Sequence, residues 1–334
     1  MNLLKTVKYL TAVFIVMCIV VSGIVYYFEQ GVHKAINLNA PMLFQIKSGQ
    51  SSKQVLNTLK SKGILAENIG LKIRLKLQPH LANIKVGTYQ LLPSMTGLEL
   101  LALFASGKEA QFSISLVEGL RWQEWVAVIQ ANPRLINQEN LALEVETFLD
   151  NLPYQSLEGL LLPDTYHFTD QTTAMQLVER AYRQMTDYLQ QAWLNRSLDL
   201  PYTTPYEALI MASIIEKETG VAEERSRIAG VFVNRLKRNM RLQTDPTVIY
   251  GMGSSFDGNI RRKDLKNATP YNTYVIKGLP PTPIAMPSKL AIDAALHPLE
   301  TEELYFVSKG DGSHQFSVTL QQHNLAVRKY QLKK

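Results

Sequence analysis

The chain has 334 residues, of which 46% are hydrophobic, and its 35 Lys and Arg against 29 Asp and Glu give a formal charge of +6. This length allows a sizeable core and predicts two or three domains. The acidic residues are interspersed with the basic ones, so no nucleic-acid partner is predicted, although the charge suits an anionic polymer or a membrane surface. The one cysteine, Cys18, excludes an intramolecular disulfide framework.

Residues 9–28 form an uncharged run, YLTAVFIVMCIVVSGIVYYF. In a helix such a run spans roughly 30 Å, the thickness of one bilayer core. A cleaved signal peptide and a buried core helix are the alternatives, but a signal core has only about 7–15 apolar residues. We therefore predict a retained membrane anchor. Because Lys5 and Lys8 precede the run, the tail 1–8 is expected in the cytoplasm and the body on the outer side of the membrane, beyond a tether over 29–42.

Residues 43–106 are predicted to form a small α+β subdomain. The expected elements are a strand over Leu43–Ile46, a helix capped by Ser51 or Ser52, a helix over Asn68–Leu77, a strand within VGTYQLLPSM, and a helix over Gly97–Phe104. This order resembles a LysM-like domain, the type that binds polymers of N-acetylglucosamine. A spacer that holds the next domain away from the membrane is the alternative.

Residues 107–334 are predicted to form a larger α+β domain. A strand from Phe112 leads to a helix with Trp122 and Trp125 on one face, where core packing is favoured over stacking on a sugar. A long amphipathic helix is expected over Thr173–Trp193, and a buried strand over Leu304–Val307. The overall fold class is therefore α+β with an N-terminal transmembrane helix.

The stretch Ala208–Gly220 reads as an apolar helix that ends on two acids, Glu216 and Glu218. A helix that is apolar on all sides is normally buried in the middle of its domain. The two acids point to nearly opposite sides of the last turn, where the helix dipole raises the pKa of a carboxylate. A carboxylic acid that stays protonated near neutral pH can act as a general acid. An ordinary ion pair of one Glu with Lys217 or Arg225 is the alternative.

Two later loops are rich in polar and aromatic side chains. Gln243 and Asp245 lie in the first loop, and Tyr271 and Asn272 in the second. Amides bind sugar hydroxyls and tyrosines stack on sugar rings, so these four residues are candidates for substrate binding, although ordinary structured loops have a similar composition. His314 lies at no metal-ligand spacing, so neither a metal nor another cofactor is predicted.

Four segments carry a resemblance to a known family: MASIIEKETG, VFVNRLKRNMRLQTDPTVIYGMG, TPYNTYVIKGLPPTPIA and LYFVSKGDGSHQF. They resemble the endolytic murein transglycosylases of the YceG-like family. The resemblance implies an inner-membrane enzyme that cuts nascent peptidoglycan strands internally, between N-acetylmuramic acid and N-acetylglucosamine, with peptidoglycan synthases as partners. It also implies that Glu218, the second Glu of the E-K-E triplet, is the catalytic acid, whereas the roles of Glu216 and His314 stay open.

A lytic transglycosylase needs one carboxyl group, because the muramyl 6-hydroxyl replaces the attacking water and leaves a 1,6-anhydro end. Two other functions are compatible with the sequence. A hydrolytic muramidase would need a second carboxylate near Glu218, for which Asp245 is the candidate. A non-catalytic scaffold would bind glycan through the LysM-like subdomain and recruit synthases.

Overall fold

The computed structural model describes residues 2–66 and 69–332 as a mixed helical and sheet protein, which confirms the α+β class. The chain divides into two compact units. The first contains the residues up to Phe112 and the short segment Phe168–Gln171, and the second contains Ser113–His167 and the chain from Thr172 onward. The predicted helix start at Asn68, the first residue of the tail, and residues 333–334 lie outside the described part.

The first helix, α1 (Asn2–Val32), contains a stretch, Thr6–Val32, that is long and apolar enough to cross a membrane. Among the described residues it is the one helix that meets this condition. Its apolar side chains are exposed, which suits a helix surrounded by lipid. The helix continues beyond the predicted end at residue 28, and Val32 and Ile36 are buried in the core of the first unit. Part of the segment 29–42 therefore packs in this unit instead of acting as a free tether.

Two strands enclose two helices in the rest of the first unit. The elements are β1 (Met42–Ile46), α2 (Ser52–Ser61), α3 (Ile69–Leu77), β2 (Gly87–Leu91) and α4 (Gly97–Ser106). The two strands pair antiparallel, with Met42 opposite Leu91. The side chain of Ser51 caps α2, as predicted, and the core is built around the ring of Phe104, which lies 5.0 Å from the ring of Tyr89. The local signals of this segment therefore predicted its elements well.

The remaining chain is mostly helical. Its elements are β3 (Phe112–Leu116), α5 (Trp122–Gln130), α6 (Leu141–Leu149), β4 (Asp164–Phe168), α7 (Ala174–Leu194), α8 (Pro205–Glu218), α9 (Arg225–Lys237), α10 (Asp245–Met252), α11 (Lys289–Leu296), β5 (Tyr305–Ser308), β6 (His314–Ser317) and α12 (Leu320–Tyr330). Strand β3 pairs with β4, and β5 pairs antiparallel with β6. Trp125 is fully buried and donates to the carbonyl of Val117 (2.9 Å), whereas Trp122 is partly exposed. The two tryptophans therefore do not share an exposed face.

Helix α8 is the centre of the second unit. All residues from Ala208 to Ile215 are buried, and α7, α9, α10 and α11 pack around them, which confirms the burial expected from the sequence. The helix begins with a capping box between Thr204 and Glu207, and Pro205 occupies the first turn, where its missing N–H is not needed. The chain turns extended at Thr219, which presents Glu218 at the end of the buried helix.

Candidate active site

Glu218 is the last residue of α8, and its carboxylate accepts a short hydrogen bond from the hydroxyl of Thr244. Burial raises the pKa of Glu218 to about 6; the bond from Thr244 opposes this rise, the charge of Asp245 adds to it, and the charges of His314 and Arg235 lower it. The sequence argument predicted the direction but relied on the helix dipole, whereas desolvation is the largest cause. A carboxyl group with this pKa can both donate and accept a proton close to neutral pH.

The hydroxyl that binds Glu218 is held by a cluster of three buried threonines. The backbone N–H of Thr244 donates to the hydroxyl of Thr273 (3.0 Å), and the hydroxyl of Thr247 donates to the carbonyl of Thr244 (2.8 Å). The hydroxyls of Thr247 and Thr273 lie 2.8 Å apart. Because the three side chains are buried, Thr244 has little freedom to turn away from Glu218. The sequence analysis did not select any of these threonines, since their partners are distant in the chain.

Thr244→Val is expected to raise the pKa of Glu218 above about 6, because it removes a hydrogen bond that stabilises the carboxylate. Thr244→Ser keeps a hydroxyl and serves as the matched control. Carbon-13 NMR of glutamate-labelled protein, titrated over pH 4–9, measures the pKa directly. An unchanged pKa in the valine variant would show that Thr244 does not bind the carboxylate.

Gln243 and Asp245 flank Thr244, and both are exposed. Gln243 has a φ of 54°, a left-handed conformation that is uncommon for a residue other than glycine, and its N–H donates to the carbonyl of Thr273 (3.1 Å). Asp245 accepts a hydrogen bond from the hydroxyl of Tyr274 (2.7 Å). Both side chains therefore have access to solvent next to Thr244, and Asp245 is close enough to Glu218 for its charge to raise the pKa of that carboxyl group.

Tyr271 and Asn272 have different environments. Tyr271 is partly exposed, and its hydroxyl lies 2.9 Å from that of Thr282. Asn272 is 1% exposed. Its amide donates to the carbonyls of Asp264 (3.0 Å) and Asn267 (2.7 Å). A contact of Asn272 with substrate remains a prediction, and the hydrogen bonds that it makes belong to the fold of its own loop.

Glu216 points to the other side of α8 and is bound within the protein. Its carboxylate accepts from the backbone N–H of Ser288 (2.8 Å) and from the Ser288 hydroxyl, and Arg225 lies 3.4 Å away. An ordinary ion pair with Arg225 was the alternative role predicted for one of the two acids, and Glu216 makes this pair. Its contacts fix the loop that leads into α11.

His314 and Arg235, the two groups whose charges lower the pKa of Glu218, lie on other elements. The Nδ1 atom of His314 lies 2.7 Å from Glu224, whose other oxygen accepts from the His314 backbone N–H (3.0 Å). Arg235 donates to the carbonyls of Leu304 (2.6 Å) and Leu242 (2.8 Å). These bonds join β5 and the segment before Thr244 to α9. Within the described ranges, no three His, Cys, Asp or Glu side chains come together as metal ligands.

Comparison with known proteins finds relatives that match most of this chain. The chain is 31% identical over 320 residues to the endolytic murein transglycosylase of Bacillus subtilis, covering 90% of this chain and 86% of that one. It is 27% identical to the protein of the same name from Streptococcus pneumoniae, of which it spans 53%. A crystal structure of a YceG-like protein from Listeria monocytogenes superposes with a TM-score of 0.50 at 28% identity, covering 86% of this chain and 99% of that one.

The model of the YceG-like family matches residues 44–329, which is most of the chain and includes every site residue described above. The four segments that resembled this family therefore lie within one continuous match. The chain belongs to the YceG-like family.

Proposed function

We propose that the chain is an endolytic lytic transglycosylase that cleaves peptidoglycan strands between N-acetylmuramic acid and N-acetylglucosamine. The observation that carries the proposal is Glu218, a carboxyl group with a pKa of about 6 at the end of a buried helix. Membership of the family, and relatives named endolytic murein transglycosylases, support the same activity.

In the proposed reaction, Glu218 donates its proton to the glycosidic oxygen as the bond from that oxygen to the muramyl anomeric carbon breaks. The resulting carboxylate, stabilised by the hydroxyl of Thr244, then takes the proton of the muramyl 6-hydroxyl. The 6-oxygen bonds to the anomeric carbon, which gives a 1,6-anhydro end and restores protonated Glu218. No water is consumed, because the internal hydroxyl is already held beside the carbon that it attacks.

The exposed positions near Glu218 are the proposed glycan contacts. Gln243 and Asp245 offer an amide and a carboxylate for sugar hydroxyls, and Tyr271 offers a ring face. Asn272 is retained as a predicted contact, although its buried amide supports the loop that carries Tyr271. Gln243 lies just before α10, Asp245 is the first residue of α10, and Tyr271 and Asn272 lie in the loop between α10 and α11.

The proposed location is the inner membrane, with α1 as a single-pass anchor, the N-terminus in the cytoplasm and the body in the periplasm. The apolar helix and the lysines that precede it support this topology. The first unit is proposed to be LysM-like, a reading supported by two helices enclosed by antiparallel strands. Anchoring confines the enzyme to the layer where new strands emerge, so peptidoglycan synthases are the proposed partners.

Mass spectrometry of glycan strands digested by the full-length protein in detergent tests the reaction. We expect 1,6-anhydro-muramyl ends. Free reducing ends would assign the protein to the muramidases, an alternative supported by the closeness of Asp245 to Glu218. No cleavage, together with retained glycan binding, would favour the non-catalytic scaffold.

Asp245→Asn separates the two enzymatic mechanisms further. In a transglycosylase we expect the 1,6-anhydro product to persist, with a loss of kcat of less than about 10-fold. Removing the negative charge also lowers the pKa of Glu218, so the decline of activity at high pH should begin at a lower pH. The pH dependence of kcat measures this shift. A loss of about 1000-fold would instead mean that Asp245 takes part in the chemistry.

A further inference from the structure

Glu158 is a second buried acid, and the reaction proposed above does not use it. It is 5% exposed, and its carboxyl group accepts from the backbone N–H of Trp122 (3.0 Å) and from the hydroxyl of Tyr250 (3.2 Å). Within the described chain no lysine or arginine forms a salt bridge with it. A buried carboxyl group without an ionic partner is costly, so its position calls for an explanation.

One partner of Glu158 connects it to the catalytic acid. Tyr250 lies on α10, about 9 Å along the helix axis from Thr244, the residue that binds Glu218. The ring of Tyr250 also packs on that of Tyr271, with centroids 4.8 Å apart. Glu158 therefore anchors the far end of the short helix whose first turn positions the hydroxyl on Glu218.

The other partner leads back to the end of α8. Trp122 begins α5, and two hydrogen bonds of Gly119 hold the segment just before it. The N–H of Gly119 donates to the carbonyl of Met286 (2.8 Å), and its carbonyl accepts from the side chain of Lys217 (2.8 Å). Lys217 is the residue before Glu218. These contacts form a closed circuit, called the contact ring below. From Glu218 it passes through Thr244 and α10 to Tyr250 and Glu158. It then returns through Trp122, Gly119 and Lys217 to Glu218.

We propose that Glu158 is a positioning residue for the reaction at Glu218, because its carboxyl group closes this contact ring and so sets where α10 holds Thr244 against the catalytic acid. The inference rests on the proposed transglycosylase function and adds a residue to it. It assigns no contact between Glu158 and the glycan. The neutral form of the carboxyl group suits this buried position, because an ionised group would draw in water and weaken the contacts of the ring.

The groups around Glu158 act on its pKa in both directions, and the hydrogen bonds from Trp122 and Tyr250 lower it. Arg121 and Glu124 at the start of α5 act on it with opposite charges, Tyr250 faces it from α10, and Tyr206 faces it from α8. Burial is the largest influence and raises its pKa to about 7. Both Glu158 and Glu218 must then be protonated for full activity.

Variants of the full-length protein, assayed on glycan strands in detergent, test the proposal. Glu158→Ala opens the ring, and we expect kcat to fall about 10- to 100-fold at every pH with a much smaller change in KM. Tyr250→Phe removes one hydrogen bond and should cost about 3- to 10-fold. Glu146→Gln, at an exposed position of α6, is the matched control and should leave kcat unchanged.

Glu158→Gln distinguishes a positioning role from a merely structural one, since glutamine imitates the neutral acid. We expect kcat close to that of the wild type at pH 6. Above pH 7 the logarithm of kcat should fall with a slope near −1, because one group titrates, whereas the wild type should approach −2. Wild-type kcat in Glu158→Ala, or identical slopes for Glu158→Gln and the wild type, would overturn the proposal.

A measurement without substrate separates this proposal from the proposed function. If Glu158 positions Thr244, Glu158→Ala weakens the hydrogen bond to Glu218 and raises the pKa of Glu218 in an NMR titration of the carboxyl carbon. An unchanged pKa would refute the positioning role even if the wild type cleaves glycan. A raised pKa in a protein that cleaves no glycan would support the contact ring and reject the reaction.

Discussion

Glu218→Gln is expected to lower kcat for glycan cleavage by about 1000-fold, the largest effect of any single substitution in this protein. Both proton transfers of the proposed reaction pass through this carboxyl group, and an amide can neither donate the first proton nor accept the second. Glutamine still offers an oxygen to the hydroxyl of Thr244, so the local fold should persist. The loss should therefore appear in kcat with little change in KM.

The control for this experiment is Glu223→Gln, which changes an exposed acid five residues away. The wild type and the control should show the same pH dependence, with activity falling as the pH rises above about 6, because the acid must be protonated. The intact fold of Glu218→Gln is checked by its thermal unfolding. Residual kcat within 10-fold of the wild type would mean that another group supplies the proton.

At high pH, Glu158→Gln is expected to have a free energy of unfolding about 3 kcal/mol higher, relative to the wild type, than at low pH. In the folded chain, burial raises the pKa of Glu158 from 4.5 to about 7, so the folded state holds the proton more tightly than the unfolded state. As the pH rises from about 4.5 to 7, the unfolded chain ionises first, and the wild type loses about 3 kcal/mol of stability. Glutamine does not titrate, so the variant should not suffer this loss.

The measurement is denaturant unfolding of the wild type and Glu158→Gln at pH 4.5 and pH 8, followed by tryptophan fluorescence. Trp122, Trp125 and Trp193 all lie in the second unit, so the signal reports the unit that contains Glu158. The free energy of unfolding of the variant, relative to the wild type, should increase by about 3 kcal/mol between the two pH values. Glu146→Gln should show no such change. A difference that is independent of pH would mean that Glu158 is not a buried titrating acid.

Local sequence patterns predicted the helices and strands well because the signals for each element lie within a few residues of it. The apolar run Ala208–Ile215 identified the central helix, and Ser51 identified the start of α2. The resemblance of four segments to a known family predicted Glu218 as the acid, which stays a prediction. Helix α1 continues past the predicted end of the membrane span at residue 28, and the burial of Val32 and Ile36 depends on the core of the first unit and not on local composition.

The arrangement around the acid depended on contacts between distant residues. Thr244 is 26 residues from Glu218, and Tyr250 is 92 residues from Glu158, so no local pattern pairs them. Asn272 carries an amide of the kind that binds sugar hydroxyls, but the fold buries this side chain. The sequence by itself thus determined the apolar N-terminal helix and the mixture of helices and strands, and it predicted Glu218 as the acid. Only the tertiary structure decided the desolvation that raises the pKa of Glu218 and Glu158 and the hydrogen bonds that oppose this rise, because both effects depend on which residues the fold brings together.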